Sequence, residues 1–196
     1  MRLNTPNILT FARIIITPFY LLAITSENLP HRFLIACVIF SIGAITDALD
    51  GHLARKNNQI TNFGKFLDPI ADKVLTTSAL LAFMSMGLCS IWIVMIVLTR
   101  EFAIASVRMI AATSGVVIPA NIWGKVKTVT QMVFTILIML LGEAYYITEN
   151  QYSEIFLKLP DLSIVSSGLL WITAILTVVS GVIYLVDSRK IIDFTK

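Results

Sequence analysis

Four aspartates, Asp47, Asp50, Asp68 and Asp72, stand within 26 residues of a chain that is otherwise largely apolar. The stretch reads DALDGHLARKNNQITNFGKFLDPIAD. On a helix, Asp47, Asp50, Gly51 and Ala54 fall at i, i+3, i+4 and i+7, one stripe of two acids and two small residues. Gly64, Asp68 and Asp72 repeat every four residues and make a second stripe. Small residues beside acids let an ion or ligand approach the backbone closely. Facing carboxylates in a low dielectric either take up protons or bind divalent cations. An all-oxygen donor set without Cys or His favours hard ions, Mg²⁺ or Mn²⁺. Such ions bind phosphates, and a pair of them clamps a phosphoryl group during displacement. The residues alone therefore point to metal-assisted phosphate chemistry. The alternative is that Arg55, Lys65 and Lys73 simply neutralise the aspartates, but Arg55 and Lys65 fall in the polar connection, where they reach water.

The elements that carry these stripes are set by composition. The 196 residues are 57% hydrophobic and 14% charged, with a mean hydropathy of +0.84. Soluble domains are about a quarter charged, so an ordinary soluble domain is excluded. Six apolar segments run over 8–25, 33–52, 66–86, 89–112, 125–147 and 163–187. A membrane-crossing helix needs about 20 apolar residues, and long apolar runs in lipid must be helical to satisfy their backbone. The expectation is an all-α integral membrane bundle of six transmembrane helices, one domain over 1–196. The short turn KNNQITNF holds the second and third helices antiparallel. Arg2 and the apolar run after it superficially resemble a signal peptide, but Arg13 and Pro18 interrupt the run, so it is read as a retained first span. Cys37 and Cys89 lack metal spacing and are expected as buried or lipid-facing thiols.

Charge then orients the bundle. Arg2, Arg55, Lys56, Lys65, Lys125, Lys127, Arg189, Lys190 and Lys196 fall near one side. The opposite connections carry only Arg32 and Lys158, and the last of them is acidic, with Glu143, Glu149, Glu154 and Asp161. The excess of Lys and Arg puts both termini and the 53–65 connection in the cytoplasm. The aspartates, Arg13, Arg108, Lys125 and Lys127 then converge on that face. A cation-coupled transporter is the alternative from another class, but it needs polar groups through the whole membrane thickness, and here they gather at one side.

The pattern D-x2-D-G-x2-A-R-x8-G-x3-D-x3-D, met by Asp47, Asp50, Gly51, Ala54, Arg55, Gly64, Asp68 and Asp72, resembles the signature of the CDP-alcohol phosphatidyltransferases. That resemblance implies a reaction in which an alcohol hydroxyl attacks the lipid-side phosphorus of a CDP-linked lipid and CMP leaves. It implies that Asp47, Asp50, Asp68 and Asp72 hold the metal, two Mg²⁺ or Mn²⁺ ions. It makes Asp72 the general base as well. Asp47, Gly51, Ala54 and Arg55 would border the CDP moiety, with Gly64 admitting the nucleotide and Asn7 and Thr10 completing the lipid-substrate site. It also implies a homodimer in a bacterial cell membrane, with membrane lipids as partners and no nucleic acid.

Acceptors in that family include glycerol 3-phosphate, inositol or its phosphate, serine and phosphatidylglycerol. Arg100, Arg108, Lys125, Lys127 and Arg13 supply the cations that a phosphorylated acceptor requires. The opening NTPNILTFARIIITP, with LTREFAIASVR and GKVKTVTQ, resembles the bacterial phosphatidylglycerophosphate synthase branch. The expected substrates are therefore CDP-diacylglycerol and glycerol 3-phosphate, with Arg108 and Lys125 ranked first on the acceptor phosphate. Blander roles compete. Arg100, adjacent to Glu101 and so pointing in a different direction, is open to an acid on another helix; Lys125 and Lys127 to lipid headgroups; Arg13 to snorkelling. Trp92, Trp123 and Trp171, with Tyr145, Tyr146 and Tyr152, are expected as interfacial anchors. His31 and His52 receive no catalytic role.

Overall fold

The structure, a computed structural model, describes residues 5–57, 62–113, 121–151 and 160–189, with side chains given for 11–46, 71, 73–112, 121–149 and 160–189. The described residues form six helices and no strand: α1 (Thr5–Thr25), α2 (Arg32–Asn57), α3 (Asn62–Ser85), α4 (Ile91–Thr113), α5 (Ile122–Gln151) and α6 (Leu162–Arg189). The all-α expectation holds. Helix borders differ most around the aspartates, where α2 ends five residues beyond the apolar segment and α3 starts four before it. Apolarity marks where lipid would end, whereas a helix runs on until a breaker or cap stops it.

Local chemistry opens and closes the later helices. Ser90, Asn121 and Asp161 each stand just before a helix and accept a backbone N–H two residues on, from Trp92 (3.4 Å), Trp123 (3.3 Å) and Ser163 (2.8 Å). Helix α3 ends on Gly87, whose φ of 75° only glycine adopts without strain. Leu88 N–H then bonds Phe83 O at 2.8 Å and Gly87 N–H bonds Met84 O at 3.1 Å, a Schellman closure.

Packing makes a circuit. Helix α1 lies against α2 and α3, α2 against α5, α5 against α6, and α6 against α4; α4 returns to α3 through a light contact. The interior holds Tyr20, Phe40, Leu80, Phe83, Ile138 and Met139, all fully buried. It also holds polar groups: Thr173, Thr177 and Ser180 on α6, and Gln131 and Thr135 on α5. The exterior is apolar, with Ile122 at 70%, Trp92 at 69% and Ile164 at 69% exposure. A polar inside and an apolar outside invert the pattern of a soluble domain. By length and composition alone, α5 and α6 are apolar enough to cross a membrane.

Close approach relies on small residues, as in membrane bundles. A Cβ on Gly142 would meet the Phe33 ring at 2.6 Å, and one on Gly43 would meet Leu75 at 2.7 Å. Gly142→Ala is expected to destabilise the α2–α5 contact by about 1–3 kcal/mol, the usual cost of overpacking. Gly168→Ala, which would meet nothing within 4 Å, serves as the control. The thermal midpoints of the two purified variants check this, the first falling and the second unchanged or raised.

Candidate active site

Contacts between helices fix their directions. Near its start α6 touches the turn that leads into α4 (Ser166 Oγ to Leu88 O, 2.9 Å). Farther along it meets Arg100 and then Arg108 through Ser180 and Tyr184. Helices α4 and α6 are therefore parallel. The end of α5 meets the start of α2 through Glu143, and its start meets the end of α6 through Asn121 and Asp187. Tyr20 of α1 lies beside Phe40 and Ile16 beside Gly43, so α1 runs antiparallel to α2, and the turn over 86–90 joins α3 to α4; the final turns of α2, α4 and α6 thus share one end with the first turns of α1, α3 and α5. Asp47, Asp50, Gly51, Ala54 and Arg55 occupy the final turns of α2, and Gly64, Asp68 and Asp72 the first half of α3. Both halves of the pattern are helical and lie toward that end. Their side chains, and those of Asn7, Thr10, His52 and Lys65, lie outside the described residues, as do Arg2, Tyr152, Glu154, Lys158, Lys190 and Lys196 altogether.

The described chemistry of this end centres on Glu101. Its carboxylate receives Lys127 Nζ of α5 at 2.8 Å and Arg100 Nη1 at 2.9 Å, both on Oε1; Lys73 Nζ of α3 lies 3.7 Å from Oε2. Lys73 also donates to the Glu101 carbonyl at 3.4 Å. The Lys127 side chain is only 3% exposed and that of Glu101 21%. One carboxylate thus ties α3, α4 and α5 together, where direct packing of α4 on α3 is slight. Arg100 runs between two glycines, Gly124 on α5 and Gly181 on α6, where an added Cβ would lie 3.3 Å and 3.1 Å from it. Its Nη2 donates to Ser180 Oγ at 3.1 Å.

The other cations are placed differently. Arg108 is exposed, donates through Nε to Tyr184 Oη at 3.1 Å, and lies with its guanidinium carbon 5.4 Å from the Tyr184 ring centroid. Lys125 is exposed, and its side chain has no hydrogen bond or ion pair among the described residues. Arg13 is 2% exposed on α1, sealed inside the bundle rather than snorkelling out. Lys73, offered above as a partner for the aspartates, has its ammonium on Glu101 instead. By its chemistry the donor set of the pattern, hard oxygens on two neighbouring helices, is of the kind that suits a divalent ion.

The opposite end is held by other means. Glu143, 5% exposed, accepts from Leu34 N–H at 3.2 Å and lies 2.5 Å from His31 Nδ1, with Tyr146 edge-on to the imidazole. His31 adopts a φ of 55°, strained for a residue with a Cβ, and the clasp on Glu143 holds it there. Asp161 caps α6; the Ser163 N–H it accepts holds its carboxyl below the usual range. A depressed carboxylate favours the folded state above its ordinary pKa and loses that contribution as pH falls. A cavity of about 900 Å³ at this end is lined by Glu27, Arg32, Tyr145, Glu149 and Asp161. It holds no member of the aspartate pattern and is not the candidate site.

Three expectations are corrected. Arg100 and Glu101 do pair despite adjacency, because both side chains are long enough to bend toward one another. Glu143 and Glu149 lie within α5, not in a connection, because that helix runs past its apolar segment. Trp171 is the tenth residue of α6, about 13 Å along it, and so too deep for an end anchor; Trp92 and Trp123 do open their helices. His31 meets its acid 112 residues farther along the chain. Glu101, Ser180 and Tyr184 were the missed contributors. The positions of Ser180, Gly181 and Tyr184 on one helical face were the available signal. Cys37 and Cys89 are both buried and unpaired, as expected.

Comparison with known proteins bears on the whole chain. The family model described as CDP-alcohol phosphatidyltransferase matches residues 3–182. A Bacillus subtilis protein named CDP-diacylglycerol–glycerol-3-phosphate 3-phosphatidyltransferase is 33% identical over 189 residues, 91% of each chain. Proteins of the same name are 36% identical in Rickettsia felis, over 95% of this chain and 96% of that one, and 38% identical in Haemophilus influenzae, over 94% and 93%.

Proposed function

Since the chain belongs to the CDP-alcohol phosphatidyltransferase family, we propose that it moves the phosphatidyl group of CDP-diacylglycerol to sn-glycerol 3-phosphate, giving phosphatidylglycerophosphate and CMP. The observation that carries this reading is the complete aspartate pattern on α2 and α3, set toward the same end of the bundle as Arg108 and Lys125. The names borne by the relatives supply the acceptor.

In this reading Asp72 takes the proton of the acceptor hydroxyl as its oxygen bonds to the lipid-side phosphorus. The bond from that phosphorus to the bridging oxygen breaks, and CMP departs with the electron pair. Asp47, Asp50, Asp68 and Asp72 are the residues to hold one or two Mg²⁺ or Mn²⁺ ions. Bound there, the ions would neutralise the diphosphate and the charge growing on the leaving group. Asp47, Gly51, Ala54, Arg55, Gly64, Asn7 and Thr10 border the CDP-lipid. Arg108 and Lys125 meet the acceptor phosphate. Arg100 and Lys127, both already committed to Glu101, support that site from behind, with Arg13 inside the bundle beside them in role.

The same reading makes all six helices membrane spans of a multi-pass protein in a bacterial cell membrane, with both termini and the active site cytoplasmic. A homodimer is part of it by analogy with the family.

The test is CMP release by the purified protein with Mg²⁺, CDP-diacylglycerol and a panel of acceptors. Release with glycerol 3-phosphate, and little with inositol phosphate, serine or phosphatidylglycerol, is the expected outcome. Release with one of the others and none with glycerol 3-phosphate would overturn the acceptor. Vesicle uptake of a cation without any CMP release would favour a transporter.

A further inference from the structure

The cations at the candidate site differ in what holds them. Arg100, Lys127 and Lys73 all share the Glu101 carboxylate, so an acid fixes where each of them points. Arg108 is held by a phenol instead, through Nε to Tyr184 Oη at 3.1 Å. Tyr184 is 3% exposed on α6, so the hydroxyl that receives Arg108 is fixed by the bundle. The contact occupies one of the five N–H donors of the guanidinium. Its ring also covers the guanidinium at 5.4 Å. The nearest acid along α6 from Tyr184, Asp187, accepts from Asn121 at 3.4 Å. No carboxylate among the described residues pairs with Arg108.

A neutral acceptor on Nε orients an arginine without cancelling its charge. The two Nη groups, which form the edge that meets phosphate in a bidentate manner, stay available. The geometry points to Tyr184 as the positioning residue for the acceptor: it sets the Arg108 guanidinium for a phosphate monoester and so favours phosphorylated over unphosphorylated alcohols. This rests on the reading of Arg108 as an acceptor-phosphate ligand. A purely packing role for Tyr184 would be met equally by phenylalanine, which keeps the ring and loses only the hydroxyl.

The experiment is steady-state CMP release by the full-length protein carrying Tyr184→Phe, Arg108→Ala or both, with glycerol 3-phosphate and CDP-diacylglycerol varied separately. Inorganic phosphate is added as a competitor of the acceptor. Loss of one hydrogen bond to a charged group corresponds to a KM for glycerol 3-phosphate raised roughly 10- to 150-fold in Tyr184→Phe. The inhibition constant of phosphate should rise by a similar factor, while kcat and the KM for CDP-diacylglycerol move less than about twofold. The double variant should be no worse than Arg108→Ala alone, because the hydroxyl acts only through the guanidinium. An unchanged acceptor KM in Tyr184→Phe, beside a raised one in Arg108→Ala, overturns the role of Tyr184 and leaves Arg108 in place. An unchanged acceptor KM in Arg108→Ala overturns the ligand role of Arg108 itself. Equal increases in both KM values in Tyr184→Phe would also overturn the role, because the hydroxyl would then support the whole site rather than the acceptor through Arg108.

Discussion

Glu101→Leu is expected to destabilise the protein by about 3–5 kcal/mol, the usual result of leaving a buried charge without its partner. Three cations meet on this carboxylate, and the most buried of them, Lys127, is 3% exposed. Without Glu101 its ammonium has no acid within reach among the described residues. The second variant decides the cause. Lys127→Met added to Glu101→Leu removes the stranded charge and fills similar volume, and most of the lost stability should return. The measurement is chemical or thermal unfolding of the purified protein in detergent. A double variant no more stable than Glu101→Leu would show that the loss comes from packing rather than charge. Activity should not recover with stability, because Lys73 and Arg100 would still lack their common anchor.

Asp72→Asn is expected to lower CMP release by roughly 10²- to 10⁴-fold, the range for loss of a general base. The substitution keeps size and removes the charge. Position 72 is within α3, and the adjacent Lys73 is tied to Glu101, so the helix should stay in place. Binding of CDP-diacylglycerol, measured directly on the variant, should survive in good part, and near-normal turnover would remove Asp72 as the base. Circular dichroism of the variant should match that of the parent.

Sequence and structure meet unevenly in this chain. The six helices were readable because apolar runs of about 20 residues have few other solutions, and the openings at Ser90, Asn121 and Asp161 carry familiar cap residues. The aspartate stripes were readable because helical spacing alone places Asp47 with Asp50 and Asp68 with Asp72. What escaped was pairing across distance. Nothing local says that Glu143 meets His31, or that Glu101 would gather lysines from two other helices. Such partners depend on which helices become neighbours, and hydropathy carries no information on that order. Arg100 escaped for a different reason: helical periodicity describes where a Cβ points, while a long side chain ends several ångströms away.

The Glu101 centre also bears on the order of assembly. Helix α4 carries Arg100, Glu101 and Arg108 within nine residues. In the membrane reading proposed above, an isolated helix with three charges would rest poorly in lipid. Lys73 of α3 precedes it, but the other groups that settle it, Lys127, Ser180 and Tyr184, lie farther along the chain, on α5 and α6. Among the described residues, those two helices are long and apolar enough to cross a membrane by length and composition. During synthesis α4 would therefore wait at the membrane until its successors arrive, and a ribosome stalled before residue 122 would leave it exposed to quality control.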